Sequence, residues 1–518
     1  MRVTNKMMTN NMLYNINNNK NAMSKLEMQY ATGLKIQKPS EDPIIAVRAL
    51  KLRTNLSELN QYYERNIPDA YAWMDATESS LEVVNDILTQ VHTYCVQGAN
   101  DPLTEEDRNN IVKTLEELKQ QIYQEGNTNY AGRYVFTGFK TDTSLVFNEP
   151  TSQYNYKMTE CLAGTDIDLI KRPIYSLDIN AYNPDDPQAS DFTQKPNVIE
   201  AYRLRLAYDD LKKEDEDGTI KVTFPTLDEE GKYQYDEDGV LIEEEYSGDI
   251  VFMGSTEASA YEPEEGVIHY LTDTGELIIP PDLYNEWSNR PSIHVEYEKN
   301  KFFKNDLRPE HYFDCTVTDL SDVNEDDPDG EQEPLVYTKQ NQQLQYEINF
   351  SQKMTINTQG SDAILHDSGR IIDEMVSAIN NVIDTQTKID ETKKMLSDSS
   401  LTEQQKAALN EMLGILNTEY TLKTEVMQSC FARGLTEIEK QQNVVSVASA
   451  DLGSRYVRLQ LTESRLSTEQ TDFEEMLSNN EDADIVDTVI NYNSQETIYN
   501  AALSAAAKVV KNTLLDFI

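Results

Sequence analysis

Five histidines, four cysteines and 91 carboxylates are the groups in this chain that could carry chemistry. His92, His269, His294, His311 and His366 stand apart, and none forms the His-Glu-x-x-His spacing that sets two imidazoles on one helix face for zinc. Cys95, Cys161, Cys315 and Cys430 match no metal spacing and no disulfide framework, so free thiols in buried or half-buried positions are expected. The chain has no Gly-x-Ser-x-Gly nucleophile turn and no Gly-rich phosphate cradle. Carboxylate pairs are inevitable in so acidic a sequence, and pairs alone do not make a glycosidase. Arg133 could meet a ligand carboxylate, although a structural ion pair is the commoner use of such a residue. The expectation is a structural protein with no catalytic residue, no metal and no cofactor.

Charge narrows the partners. A formal charge of −46 and a pI near 4.4 repel nucleic acid, whose phosphates need a basic surface, and disfavour anionic membranes for the same reason. No apolar run is long enough to span a bilayer, so membrane insertion is not expected. The start, Met1-Arg2-Val3-Thr4-Asn5-Lys6, leads into Asn15, Asn17, Asn18 and Asn19 without an apolar stretch or small-residue cleavage site. Export by a removable Sec-type signal is therefore not expected. At 518 residues with 38% apolar content, long exposed helices around an acidic globular part fit better than one compact core.

The elements follow from periodicity. Residues 1 to about 140 and 361–518 read as helical. Asp42-Pro43 has the residue types of an N-cap and first helical position. An apolar seam then runs Leu52, Leu56, Leu59, Tyr63, Ile67, Ala70, Trp73, Thr77, Leu81, Val84, Leu88 and Val91 over about six heptads. Pro68 inside it is expected to kink or divide the helix, Gly98 to end it, and Thr104 to start the next. The second half carries Ile372, Met375, Ile379 and Val382, then Val445, Leu452, Leu459 and Leu466, with Thr402 and Gln405 as a capping box between them. The final helix offers Ile485, Val489, Tyr492, Tyr499, Leu503, Ala506, Val510 and Phe517, its four-three spacing broken only at Glu496.

The middle differs. Residues 151–360 hold more than half of the net negative charge. Asp217-Gly218, Asp238-Gly239 and Thr274-Gly275 separate strand-like runs, which predicts antiparallel hairpins. Asp322–Glu333 reads as a solvated acidic loop. The predicted class is α+β and multidomain: a long antiparallel coiled coil or bundle from both chain ends, a small β-hairpin, and an inserted acidic β-rich domain.

Short motifs at fixed places then add a family resemblance. Ala31-Thr32-Gly33-Leu34-Lys35-Ile36, followed by Pro39-Ser40-Glu41-Asp42-Pro43, resembles the turn joining the first two helices of the flagellin superfamily. Asn100 to Arg108 resembles its second inter-helix loop. Gly132-Arg133-Tyr134-Val135-Phe136-Thr137-Gly138-Phe139-Lys140-Thr141 is similar to the "GRYIFAG(Y/F)KT" strand of the superfamily's hook–filament junction branch. Where flagellins carry "DDAAG", this chain has Glu41-Asp42-Pro43-Ile44-Ile45. The resemblance covers residues 1–147 and 440–518.

It implies an inner coiled coil of residues 1–42 and 479–518, rod segments at 43–147 and 361–478, and a variable insert at 148–360. It implies Gly33, Pro39, Asp42 and Pro43 as the inter-helix turn, and Gly132, Arg133, Tyr134, Phe136 and Gly138 as the junction strand. Assembly would use Val489, Tyr492, Tyr499, Leu503, Ala506, Val510 and Phe517. The implied setting is a homo-oligomeric ring at the hook–filament junction of the bacterial flagellum, secreted by the flagellar type III apparatus. Flagellin, a neighbouring hook-associated protein and a cytoplasmic export chaperone on the C-terminal helix would be partners. The alternatives are a filament subunit or, more distantly, an adhesive module displayed by the Tyr-rich middle. The first and last 40 residues are expected to be mobile in the monomer and to order on assembly.

Overall fold

The computed structural model of the chain describes residues 5–100, 103–183, 195–212, 220–228, 232–236, 241–257, 259–320 and 334–511. The chain forms two compact units: a terminal unit of residues 1–71, 345–354 and 456–518, and a central unit of residues 72–344 and 355–455. Two helices run through both.

In the terminal unit the chain enters as α1 (Asn5–Thr32), turns, and restarts as α2 (Pro43–Gln61). Asp42 caps α2: its Oδ1 accepts the amides of Ile44 at 3.0 Å and Ile45 at 3.2 Å, satisfying donors that a helix start leaves orphaned. Pro43 follows at the first helical position, where a missing N–H costs nothing. A single π-turn, Tyr62–Asn66, joins α2 to α3 (Ile67–Ala99), with the Ile67 amide bonding five residues back to Tyr62. Pro68 therefore does not divide the helix. The wide turn takes up the extra residue just before it, where the proline ring would otherwise crowd the preceding carbonyls. A hairpin of β14 (Gln345–Asn349) and β15 (Gln352–Thr355) covers this turn. Phe350 meets Tyr62 edge to face at 5.5 Å, Asn66 donates to the Glu347 carbonyl, and the Tyr346 hydroxyl donates to Asp69. The unit is completed by the end of α7 (Glu403–Glu481) and by α8 (Ile485–Lys511).

In the central unit, α3 meets α4 (Glu105–Glu125) at Ser80 and Glu125, α6 (His366–Leu396) at Cys95 and Met375, and α7 at Gly98 and Phe431. Thr104 and Asp107 form the capping box of α4, and Thr402 with Gln405 forms that of α7. Leu81, Leu88, Leu115, Ile122, Ile379 and Val445 are among the side chains buried along these helices. Gly98 does not end α3: it lies inside the helix, and a Cβ there would sit 2.5 Å from the Phe431 ring. Its smallness, not its backbone freedom, is what the site needs.

Between α4 and α6 lie a small hairpin, β1 (Asn129–Tyr130) with β2 (Arg133–Tyr134), and a two-sheet sandwich. The sandwich strands are β3 (Tyr154–Leu162), β4 (Asp168–Ile174), β5 (Asn197–Arg205), β6 (Lys221–Pro225), β7 (Glu243–Glu245), β8 (Asp249–Met253) and β9 (Val267–Leu271). They continue through β10 (Glu276–Ile279), the short helix α5 (Pro281–Trp287), β11 (Ile293–Lys299), β12 (Asp314–Asp319) and β13 (Leu335–Tyr337). One sheet has the order β4-β5-β10-β9-β8, the other β13-β12-β3-β11-β6-β7. Met158, Leu204, Tyr270, Leu277, Val295, Tyr297 and Trp287 fill the space between them. Strand alternation sends Ala201, Leu271 and Ile278 to the outer face of the five-stranded sheet.

The described pairs of the sandwich are antiparallel except β8–β9, which run parallel. Several, such as β3–β11 and β5–β10, join strands far apart in the chain and are not hairpins. Thr274-Gly275 is the β9–β10 turn, with Gly275 at φ +63°. The Asp217-Gly218 and Asp238-Gly239 turns, and the whole acidic stretch 322–333, lie outside the described residues.

Candidate functional site at the paired chain ends

The helices α1 and α8 lie against each other along their length. Exposure falls on α1 at Thr9, Met12, Ile16, Asn19, Met23 and Leu26, and on α8 at Thr488, Tyr492, Gln495, Tyr499, Ala502 and Ala506. Both rows advance by alternating steps of three and four, so the two helices meet as an antiparallel coiled coil. One layer is polar: the Gln495 amide reaches the Asn19 carbonyl at 3.5 Å and its side-chain oxygen at 3.4 Å. A polar layer in an apolar seam lowers stability and fixes register, because any slip leaves its groups unpaired.

The pairing row is offset from the stripe read in the sequence. Tyr492, Tyr499 and Ala506 belong to it, Val489 is half-buried at its flank, and Leu503 stays 40% exposed. The apparent break at Glu496 disappears, because Gln495 occupies the seam. The side chain of Val510 and the whole of Phe517 lie outside the described residues. Pairing leaves apolar side chains off the seam uncovered: Leu13 and Tyr14 on α1, and Val486, Ile490 and Ile498 on α8, are all exposed.

The turns at one end of the coiled coil are stitched by backbone hydrogen bonds. The Lys35 amide donates to the Glu481 carbonyl, and the Ala483 amide to the Gly33 carbonyl, both at 2.7 Å. Gly33 allows this because it turns at φ +73°; open space surrounds its Cα, so backbone conformation alone calls for glycine. Side chains reinforce the seam: Lys35 Nζ donates to the Asn479 carbonyl, Arg53 pairs with Glu481 at 2.5 Å, and Asn480 donates to the Ile45 carbonyl. Pro39 is exposed on the loop that returns to Asp42. An apolar groove of about 390 Å³ opens beside it, lined by Leu34, Ile36, Pro43, Ala46, Val47 and Leu50. Sequence reading missed Asn19, Gln495, Lys35, Glu481 and Asn480, whose partners lie more than 400 residues away.

In the central unit, the Gly132–Thr141 motif is a strand only at Arg133–Tyr134. Ala131 and Gly132, at φ +51° and +83°, form the tight turn of the β1–β2 hairpin. Val135 and Phe136 are both buried, so alternation stops after Tyr134, and the chain turns again at Gly138, φ +62°. The Gln342 side chain presses where a Gly138 Cβ would stand, and it accepts the Phe139 amide at 2.8 Å. Arg133 lies over the Trp73 ring, 5.0 Å from its centre, which gives its cation a packing role.

Among the described residues no group of three or more His, Cys, Asp or Glu side chains could hold a metal ion, and no helix is long and apolar enough to cross a membrane.

These features define a class: an α+β structural protein whose two ends close into one antiparallel coiled coil, with a β-rich domain inserted between its helices. The bacterial flagellin N-terminal helical region matches residues 3–141, and the bacterial flagellin C-terminal helical region matches residues 435–518. At these two ends the chain is similar to the bacterial flagellins. Flagellar hook-associated protein 3 of Salmonella typhimurium is 31% identical over 162 residues, which are 30% of this chain and 49% of that protein. Its counterpart in Escherichia coli is 29% identical over 157 residues, 30% of this chain and 48% of that protein. A flagellin of Clostridium tyrobutyricum is 30% identical over 128 residues, 25% of this chain and 34% of that protein. The chain thus matches about half the length of the hook-associated relatives.

Proposed function

We propose that this chain is a structural component of the bacterial flagellum that joins the hook side to the filament, polymerising through its terminal helices. The observation that carries the reading is the set of uncovered apolar side chains on the α1–α8 pair. A coiled coil that has already buried one seam gains nothing from further apolar side chains unless other copies cover them. Likeness to hook-associated protein 3 over 30% of the chain supports the junction over other assemblies.

On this reading the subunits form a homo-oligomeric ring with the insert outside. Flagellin and a second hook-associated protein are its neighbours, and a cytoplasmic chaperone holds the C-terminal helix before type III export. The filament subunit is the second reading, and the flagellin likeness favours it. Deleting the gene separates the two. The junction role predicts cells with hooks but no filaments and flagellin released into the medium; filaments of normal length on the deletion strain would reject it.

A further inference from the structure

The strands β4 and β5 are neighbours, with Ile174 paired to Asn197, so a two-residue turn would suffice to join them. The connection instead takes up residues 175–196, and long connections of this kind usually have work of their own. Its described part, residues 175–183, docks on the α6–α7 helical hairpin. Leu177 is buried among Ile389, Leu409, Met412 and Leu416, with Ile179 and Tyr182 packed beside it. Ahead of it, Ser176 Oγ donates to Glu419 Oε1 at 2.6 Å, and the Leu177 amide donates to Glu419 Oε2 at 3.0 Å. Glu419 is 1% exposed and pairs with Lys423 at 2.7 Å.

We infer that this excursion is a brace, the third element that completes the tip of the α6–α7 hairpin, so that the insert serves the rod mechanically. Three observations lead there. First, the tip cluster is built from α6, α7, their connection and the excursion; α4 reaches only its edge, where Arg108 donates to the Tyr420 hydroxyl. Two helices with no third partner bury too little to stay fixed. Second, Glu419 is a buried carboxylate that takes two of its donors from the excursion, so undocking costs it two charge-assisted hydrogen bonds.

Third, the sheet that carries both ends of the excursion is itself anchored to the same two helices. The outer face of the five-stranded sheet presents Asp168, Arg172, Arg203, Arg205 and Glu276, because residues two apart share a face. Glu374 of α6 receives Arg203 at 3.2 Å and Arg205 at 3.3 Å, and it also pairs with Arg433 of α7. Arg203 is fully buried and bonds Glu276 at 2.7 Å. The sheet is therefore held at a fixed place on the hairpin, and the excursion leaves it already aimed at the tip. The inference does not depend on the flagellar reading.

Amide exchange on the full chain tests it, with two variants. Leu177→Asn removes the apolar anchor, and replacing residues 175–196 by Asn-Gly removes the brace while allowing β4 and β5 to pair. The chain's two tryptophans act as controls: Trp287 lies in the sandwich core and Trp73 among the rod helices. The expected result is at least tenfold faster exchange in residues 385–396 and 403–416, with α3 amides and tryptophan emission unchanged. Parental exchange at the tip in Leu177→Asn, or in the shortened chain with its Trp287 emission intact, overturns the brace.

Discussion

At the residue scale, burial decides what charged groups do. Glu160 points into the sandwich core, accepting the Ala207 amide at 3.0 Å and the Tyr297 hydroxyl at 2.8 Å. Burial pushes its carboxyl up to about 7, and those two hydrogen bonds only partly offset this. Glu374 and Glu276 are also buried, yet the guanidinium groups around them win. Arg203, Arg433, Arg172 and Arg205 hold Glu374 well below the usual range, and Arg172 and Arg203 hold Glu276 to about 2. The pH consequences are opposite in sign.

A carboxyl raised in the fold stabilises it most below its unfolded value, and that contribution fades as pH rises through about 7. Glu160→Gln should therefore remove a loss of roughly 3 kcal/mol between about pH 4.5 and 7, at 1.36 kcal/mol per pKa unit. Urea unfolding followed at Trp287 checks this: the stability gap between variant and parent should open in favour of the variant from pH 5 to pH 8. A gap independent of pH would contradict it. Glu374 and Glu276 stay ionised across that window, so the ion pairs between insert and rod should not weaken there.

At the element scale, much was legible because helices write their buried face into periodic spacing. The seam from Leu52 to Val91 held, and so did the caps at Asp42, Thr104 and Thr402. The π-turn was not readable there: Leu59, Tyr63 and Ile67 make two steps of four in succession, but so do Trp73, Thr77 and Leu81 inside regular α3. The α8 seam was harder to read, since a broad apolar stripe does not say which side pairs within the chain and which is left for neighbours. The structure separates them, and the outer side carries a prediction. Val486→Glu with Ile490→Glu should leave the α1–α8 pair and the monomer's helical circular dichroism intact. Two apolar side chains kept from burial cost about 3–6 kcal/mol per docked copy, enough to abolish polymerisation at micromolar concentration. Sedimentation shows this; polymers like those of the parent would mean that this stripe is not an assembly face.

At the scale of the whole molecule, the sequence's three-part pattern of helical, acidic β-rich and helical segments is recovered, yet the contacts that join its parts were not readable. Leu177 has no periodic partners near it, and Glu419 and Glu374 look like ordinary surface charges on a helix. Their roles come from residues 169 to 243 positions away, a distance over which one sequence gives no pairing. The same holds for the stitched turns, where Gly33 was visible and its partner Ala483 was not. The paired ends are thus the organising feature, and their proposed role is to seat the chain at one place in the flagellum. Immunogold labelling of intact flagella with an antibody to the insert tests that claim most directly. The account predicts a single cluster of gold at the boundary between hook and filament; label distributed along the filament would contradict it and make the chain a filament subunit.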